Sequence, residues 1–175
     1  MRRKQIGVGG LVLSPRAKRY VNRVLSSNRL SYGPFTRRFE RAFAAAHGTR
    51  YASFMNSGTD ALRIALAAMK RRYGWRVGDE VLVPAVTFVA TANIVIQNQM
   101  KPVFVDVDRR TYNIDPSKIE EKLTRRTRAI LPVHLMGLPC DMDPIWDLAR
   151  MHRLKILEDS CEAMFATYRG KRVGS

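Results

Sequence analysis

From residue 51 onward, short apolar runs alternate with amphipathic segments, and that alternation leaves few folds open to the chain. The runs fall at residues 51–55, 80–83, 101–105, 128–133 and 155–157, each too short for a helix and bounded by turn-forming residues. Between the first two, Ala61, Leu62, Ile64, Ala65, Leu66 and Met69 recur at helical spacing. Thr87 opens a second helix to about residue 97, Asp115-Pro116 a third to about 123, and Asp143-Pro144 a fourth to about 152. Strand and helix in turn mean an α/β fold, a mainly parallel sheet with helices on both faces. Residues 166–173 read as a small closing hairpin.

The first 50 residues are different, and we read 1–50 as an N-terminal helical arm ahead of a sheet-bearing domain at 51–175. Ser14-Pro15 starts a helix to about residue 27, with Ala17, Tyr20, Val21, Val24 and Leu25 on one face. Pro34 opens a second through Phe35, Phe39, Ala42, Phe43 and Ala46, stopped by Gly48. Ile6-Gly7-Val8-Gly9-Gly10 looks like a dinucleotide loop but fails the test. No strand precedes it, and Val12 stands where the third glycine belongs.

Charge is unevenly spread. Of a formal +16, residues 1–50 supply twelve Lys and Arg against one acid, Glu40. Such an arm suits nucleic acid, an acidic partner or a solvated surface. Nucleic acid is the least supported, since neither a zinc-finger spacing nor an RNA-binding aromatic pattern is present. No apolar run approaches the ~18 residues of a membrane span, and no signal-peptide h-region follows Met1, so a cytoplasmic protein without membrane attachment is expected. Cys140 and Cys161 are too few and too far apart for a disulfide framework or a zinc site, and no metal is expected.

The most informative stretch is Asn56-Ser57-Gly58-Thr59-Asp60, where the first strand breaks into a helix. Unpaired N–H groups, the positive end of the helix dipole and two hydroxyls would suit a phosphate there. An ordinary N-cap explains the same residues. In a parallel sheet, ligands bind beyond the carboxyl ends of the strands. The polar or aromatic residues falling at those ends are Ser57, Gly58 and Thr59, then Thr87 and Phe88, then His134, then Asp159 and Glu162. A phosphate cradle, an aromatic face and a carboxylate together suit a flat cationic heteroaromatic ring carrying a phosphate.

Six segments in order and spacing carry a resemblance to a known family. They are Leu30-Ser31-Tyr32-Gly33-Pro34, Asn56-Ser57-Gly58-Thr59-Asp60-Ala61-Leu62, Thr87-Phe88-Val89-Ala90-Thr91-Ala92-Asn93, Pro102-Val103-Phe104-Val105-Asp106-Val107-Asp108, Val133-His134-Leu135-Met136-Gly137 and Glu158-Asp159-Ser160-Cys161-Glu162-Ala163. Over nearly its whole length the chain resembles the N-terminal half of the DegT/DnrJ/EryC1/StrS sugar aminotransferases, pyridoxal 5'-phosphate enzymes of the type I transferase fold. The resemblance implies that Asp159 pairs with the pyridinium nitrogen of the cofactor, that Phe88 lies against the ring face, and that Ser57, Gly58 and Thr59 hold its phosphate. Glu162 stands where the family often has a glutamine contacting the cofactor's 3′-oxygen, and a carboxylate there is a departure. His134 is expected to be structural. The implied reaction moves an amino group from an amino-acid donor, glutamate, to a nucleotide-linked keto sugar at a homodimer interface, with the basic arm near the substrate diphosphate.

The same resemblance implies that the Schiff-base lysine, the rest of the large domain and a smaller C-terminal domain lie beyond the segment matching Val173-Gly174-Ser175. Lys155 and Lys171 lack the surroundings of that lysine. Two strands that would flank residues 51–55 belong to the same downstream part, so open edges and exposed apolar faces are expected. Residues 1–175 alone are therefore expected to be a fragment, inactive and marginal as an isolated fold. Alternatives are a cofactor-dependent sugar 3-dehydratase of the same family, a non-catalytic partner, and a nucleic-acid binder.

Overall fold

The computed structural model describes residues 12–175, so the glycine run at 6–10 lies outside the described residues. The chain divides into two compact units, one ending at Phe39 and the other spanning Glu40–Ser175.

In the first unit, α1 (Pro15–Ser26) is built as its sequence predicts. The Ser14 hydroxyl accepts from the Ala17 N–H at 3.1 Å, and Pro15 occupies the first helical position. Ala17, Tyr20 and Val24 are half-buried, while Val21 and Leu25 stay exposed. Tyr20 meets the edge of Phe35, with ring centroids 5.5 Å apart, and the Arg38 guanidinium lies over the Tyr20 ring. α2 (Pro34–His47) runs from this unit into the second.

The second unit holds a parallel sheet in the order β2-β1-β3-β4, formed by β1 (Glu80–Pro84), β2 (Lys101–Val105), β3 (Thr127–Ile130) and β4 (Lys155–Ile156). Every residue of β1 is buried, as befits a strand covered on both faces. Its alternation divides the core. Val81 and Val83 pack with Leu62 and Leu66 of α3 (Gly58–Tyr73) and with Ile94 and Val95 of α4 (Val89–Gln97). Leu82 and Ile130 point the other way, onto Met142, Ile145 and Ala149 of α5 (Met142–Met151). Each such side chain withdrawn from water contributes roughly 1.5–3 kcal/mol. Helices on both faces of a parallel sheet are thus what the alternation predicts, and β5 (Thr167–Tyr168) with β6 (Lys171–Arg172) forms the closing hairpin.

Two expected elements differ. Residues 51–55 form no strand: Tyr51 is 74% and Phe54 54% exposed, and the Phe54 N–H donates to Glu40 Oε1 at 3.0 Å instead of to a neighbouring strand. An extended segment becomes a strand only when a second strand takes its backbone groups, and none within the described residues lies alongside. The helix expected after Asp115-Pro116 is two short 3₁₀ turns, Pro116–Lys118 and Glu120–Lys122. Asp115 caps the first by accepting from the Ser117 N–H at 2.9 Å, and Ile119 anchors the stretch in the core.

Candidate functional site

Because all four strands run the same way, their carboxyl ends share one edge of the sheet. Phe88 follows β1 as the N-cap of α4 and is 69% exposed, an aromatic face presented rather than packed away. His134 follows β3, and Asp159 follows β4, where a parallel bridge between Val133 and Asp159 carries the pairing beyond the regular strands. Reciprocal bonds fix that bridge: the Asp159 N–H donates to Pro132 O at 2.9 Å and the His134 N–H to Asp159 O at 3.1 Å.

Asp159 is only 5% exposed, and a hydroxyl and a backbone N–H hold its carboxylate beside the Cys161 thiol. Thr91 Oγ1 donates to Oδ2 at 3.1 Å and the Cys161 N–H to Oδ1 at 3.2 Å. Among the described residues it makes no ion pair. A buried carboxylate held by neutral donors without a counter-charge fits a cationic ligand group. Thr91 was not singled out as a site residue by sequence reasoning, although it stands in the quoted Thr87–Asn93 stretch; its helical position gives no hint of a partner 68 residues away.

The turn before α3 lies against the same loop. Ser57 is the N-cap, its hydroxyl accepting from the Asp60 N–H at 3.1 Å, so the ordinary cap is real. Among the described residues the N–H groups of Gly58 and Thr59 have no acceptor, which leaves the dipole end open to an anion. Asp60 is turned aside: Asn56 Nδ2 donates to it at 2.8 Å and Arg63 pairs with it at 2.8 Å, and these contacts hold its carboxyl below the usual range. Space is short at Gly58. A Cβ there would stand 2.7 Å from Cys161 Sγ, the residue whose N–H holds Asp159. Ser57, Gly58, Thr59 and Asp159 are therefore brought together through Cys161.

Glu162 is engaged elsewhere. Its Oε2 accepts the Met136 N–H at 2.6 Å, tying the loop after His134 to the loop after Asp159. His134 is fully buried: Nδ1 accepts the Cys140 N–H at 3.0 Å, so the proton sits on Nε2, which donates to Glu158 Oε2 at 3.0 Å. Expected to be structural, it is held by a carboxylate as well as by backbone. Asn113, which sequence reasoning passed over, clamps the same loop by donating to Leu138 O at 2.9 Å and accepting from the Leu135 N–H at 3.0 Å. Lys155 sits at the opposite edge, its ammonium over the Tyr73 ring, and Lys171 is exposed in β6. Among the described residues no group of His, Cys, Asp and Glu is arranged to hold a metal ion, and no helix is long and apolar enough to cross a membrane.

Comparison with known proteins gives concordant results. A family model described as the DegT/DnrJ/EryC1/StrS aminotransferase family matches residues 13–175. A GDP-perosamine synthase of Caulobacter vibrioides is 51% identical over 145 residues, which is 83% of this chain and 38% of that protein. The X-ray structure of an aminotransferase from Psychrobacter cryohalolentis matches with a TM-score of 0.87 at 42% identity, over 93% of this chain and 41% of that one. An Escherichia coli GDP-4-keto-6-deoxy-D-mannose-3-dehydratase with bound hydrated PLP matches with a TM-score of 0.89 at 32% identity, over 95% and 43%. The chain spans about two fifths of the length of these relatives.

Proposed function

The chain belongs to the DegT/DnrJ/EryC1/StrS aminotransferase family, and from that membership we propose that it is the cofactor-binding N-terminal part of a pyridoxal-phosphate-dependent sugar aminotransferase. The activity proposed for the whole protein is transfer of an amino group from an amino acid, glutamate, to a keto group of a nucleotide-linked sugar, by a homodimer. The observation that supports this reading is the contact of Gly58 with Cys161 beside Asp159, which brings the open N-terminus of α3 close to a carboxylate without an ion pair among the described residues.

The residues fit the coenzyme by their chemistry. Asp159 would hold the ring nitrogen protonated, since an ionised carboxylate favours the charged form of a neighbouring base. Bound there, the coenzyme supplies an electron sink for breaking a bond at the amino-bearing carbon. The Gly58 and Thr59 N–H groups, with the Thr59 hydroxyl, would hold the phosphate, and Phe88 would cover one ring face and keep water from it. Glu162, its Oε2 held by the Met136 N–H, would meet the 3′-oxygen through Oε1. We assign no lysine of residues 12–175 to covalent attachment, because Lys155 lies across the sheet from Asp159 and Lys171 is exposed in β6; residues 1–175 alone are proposed to be inactive.

The test is titration of the chain with pyridoxal phosphate, followed by the coenzyme's absorbance and by equilibrium dialysis. Saturable binding at one site, weakened by Asp159→Ala and by Gly58→Val, is the expected result; binding indifferent to both would sink the reading. A second reading, a sugar 3-dehydratase using the same coenzyme, draws on the likeness to the Escherichia coli dehydratase. Assay of the intact protein with a nucleotide-linked 4-keto sugar separates them, by amino-sugar or by deoxy-sugar product.

A further inference from the structure

The hydroxyl pair behind Asp159 has a direction that the geometry settles. Thr87 Oγ1 and Thr91 Oγ1 are 2.9 Å apart, one helical turn from each other at the start of α4, and Thr91 Oγ1 is 3.1 Å from Asp159 Oδ2. An ionised carboxylate only accepts, so the single Thr91 proton goes to Asp159, and the Thr91 oxygen is left to accept from Thr87. The chain of donors therefore runs Thr87 to Thr91 to Asp159, and each bond polarises the next. Thr91 is fully buried and cannot turn to water, and Asp159 is nearly so. A helical threonine commonly bonds the carbonyl four residues back; here its oxygen meets the Thr87 hydroxyl and the Asp159 carboxylate.

We propose that Thr91, backed by Thr87, is a positioning residue that fixes the Asp159 carboxylate in one orientation, toward the ring nitrogen of the coenzyme; this rests on the function proposed above. The Cys161 N–H holds Oδ1 and Thr91 holds Oδ2. Each oxygen keeps lone-pair capacity for a third donor, and with both held the carboxylate plane cannot rotate to choose another. Thr91 is buried behind the Asp159 carboxylate. It acts through Asp159.

The distinguishing experiment compares two ligands: pyridoxal phosphate and its 1-deaza analogue, in which a C–H replaces the ring nitrogen. Each is bound to the chain and to its variants by equilibrium dialysis. Wild type should prefer pyridoxal phosphate. Thr91→Val, which keeps the shape and removes the hydroxyl, should weaken pyridoxal phosphate roughly tenfold or more and leave the analogue unchanged. Thr91→Ser should restore the preference, and Thr87→Val should weaken it in the same ligand-dependent sense by a smaller factor. Equal losses for both ligands in Thr91→Val, or no loss for either, would overturn the positioning role while the coenzyme reading stands. Wild type binding both ligands equally would overturn the contact between Asp159 and the ring nitrogen, and with it the proposal. Should Thr91→Val fail to fold, Thr87→Val and Thr91→Ser decide by the same ratio.

Discussion

A Cβ on Gly58 would stand 2.7 Å from the Cys161 Sγ, so the first residue of α3 and the loop that carries Asp159 touch with no room between them. This contact joins two parts of the chain more than a hundred residues apart.

Gly58→Ala is therefore expected to harm the site more than the fold. Alanine suits a helix start better than glycine, and the sulfur is a side-chain end that can rotate, so the stability change should stay within about 1 kcal/mol. The displaced Cys161 should loosen its N–H bond to Asp159, and pyridoxal phosphate binding should weaken. The double variant G58A/C161A should recover it. Thermal melts and dialysis on the two proteins check this, and a double variant no better than the single would contradict it.

Cys161 should be a slow thiol despite its exposure. Burial of the sulfur, then the hydrogen bond and charge of Asp159 and the charge of Glu162, push it up to about 12. Thiolate is the reactive form, so at neutral pH the reactive fraction is roughly a thousandfold below that of an ordinary thiol. Iodoacetamide labelling, with Cys161 separated from the buried Cys140 by peptide mass spectrometry, should accelerate steadily past about pH 10. A plateau near pH 9 would be inconsistent with this account. Asp159→Asn should speed the reaction at fixed pH.

Acid should unfold the chain partly through the start of β1. Asp79 is pushed upward by burial, but this is outweighed by the Arg76 N–H at 2.8 Å and Arg128 Nε at 2.9 Å, leaving it below its ordinary 3.8. Glu80 lies below its ordinary 4.5 through the Thr124 hydroxyl, against burial, and then through Lys101 at 3.1 Å. Folded values below the unfolded ones mean that this stability is complete above about pH 5 and is lost as pH falls through the folded values. Asp79→Asn should cost about 1 kcal/mol near pH 7 by urea unfolding, and the gap from wild type should close by about pH 2. A gap unchanged by pH would count against it.

Asn113→Ala should loosen the loop after His134. It leaves the Leu135 N–H with only Val133 O, at 3.0 Å, and takes the amide donor from the Leu138 carbonyl, for about 1 kcal/mol. Hydrogen exchange at Leu135 and Met136 should quicken more than in β1. Uniform quickening across the sheet would show that the residue supports the whole fold and not the loop.

Much of the fold was legible because its signals are local. Pro15 after Ser14, Gly58 after Ser57, and the left-handed Gly74 at the end of α3 mark helix ends through bonds within a few residues. The alternation of Val81, Leu82 and Val83 likewise announced a strand packed on both faces. Phe88 and Asp159 could be placed together because strand ends in a parallel sheet share an edge; Ser57, Gly58 and Thr59 follow no strand, and Gly58 lies against the Asp159 loop through Cys161 instead. Glu162 could be placed near them, but its bond to the Met136 N–H could not, and neither could Asn113, whose partners lie 22 and 25 residues on.

The sequence by itself determined most of the order of strands and helices, the sheet's direction and the place of Phe88 and Asp159 at its carboxyl edge, since period and capping are settled between near neighbours. Only the tertiary structure decided that residues 51–55 remain unpaired, that Pro116–Lys118 and Glu120–Lys122 wind as 3₁₀ turns, and that Thr91 answers Asp159. A strand without a second strand, or a carboxylate without its donor, has no local preference to follow; its partner is chosen by the packing of distant parts of the chain.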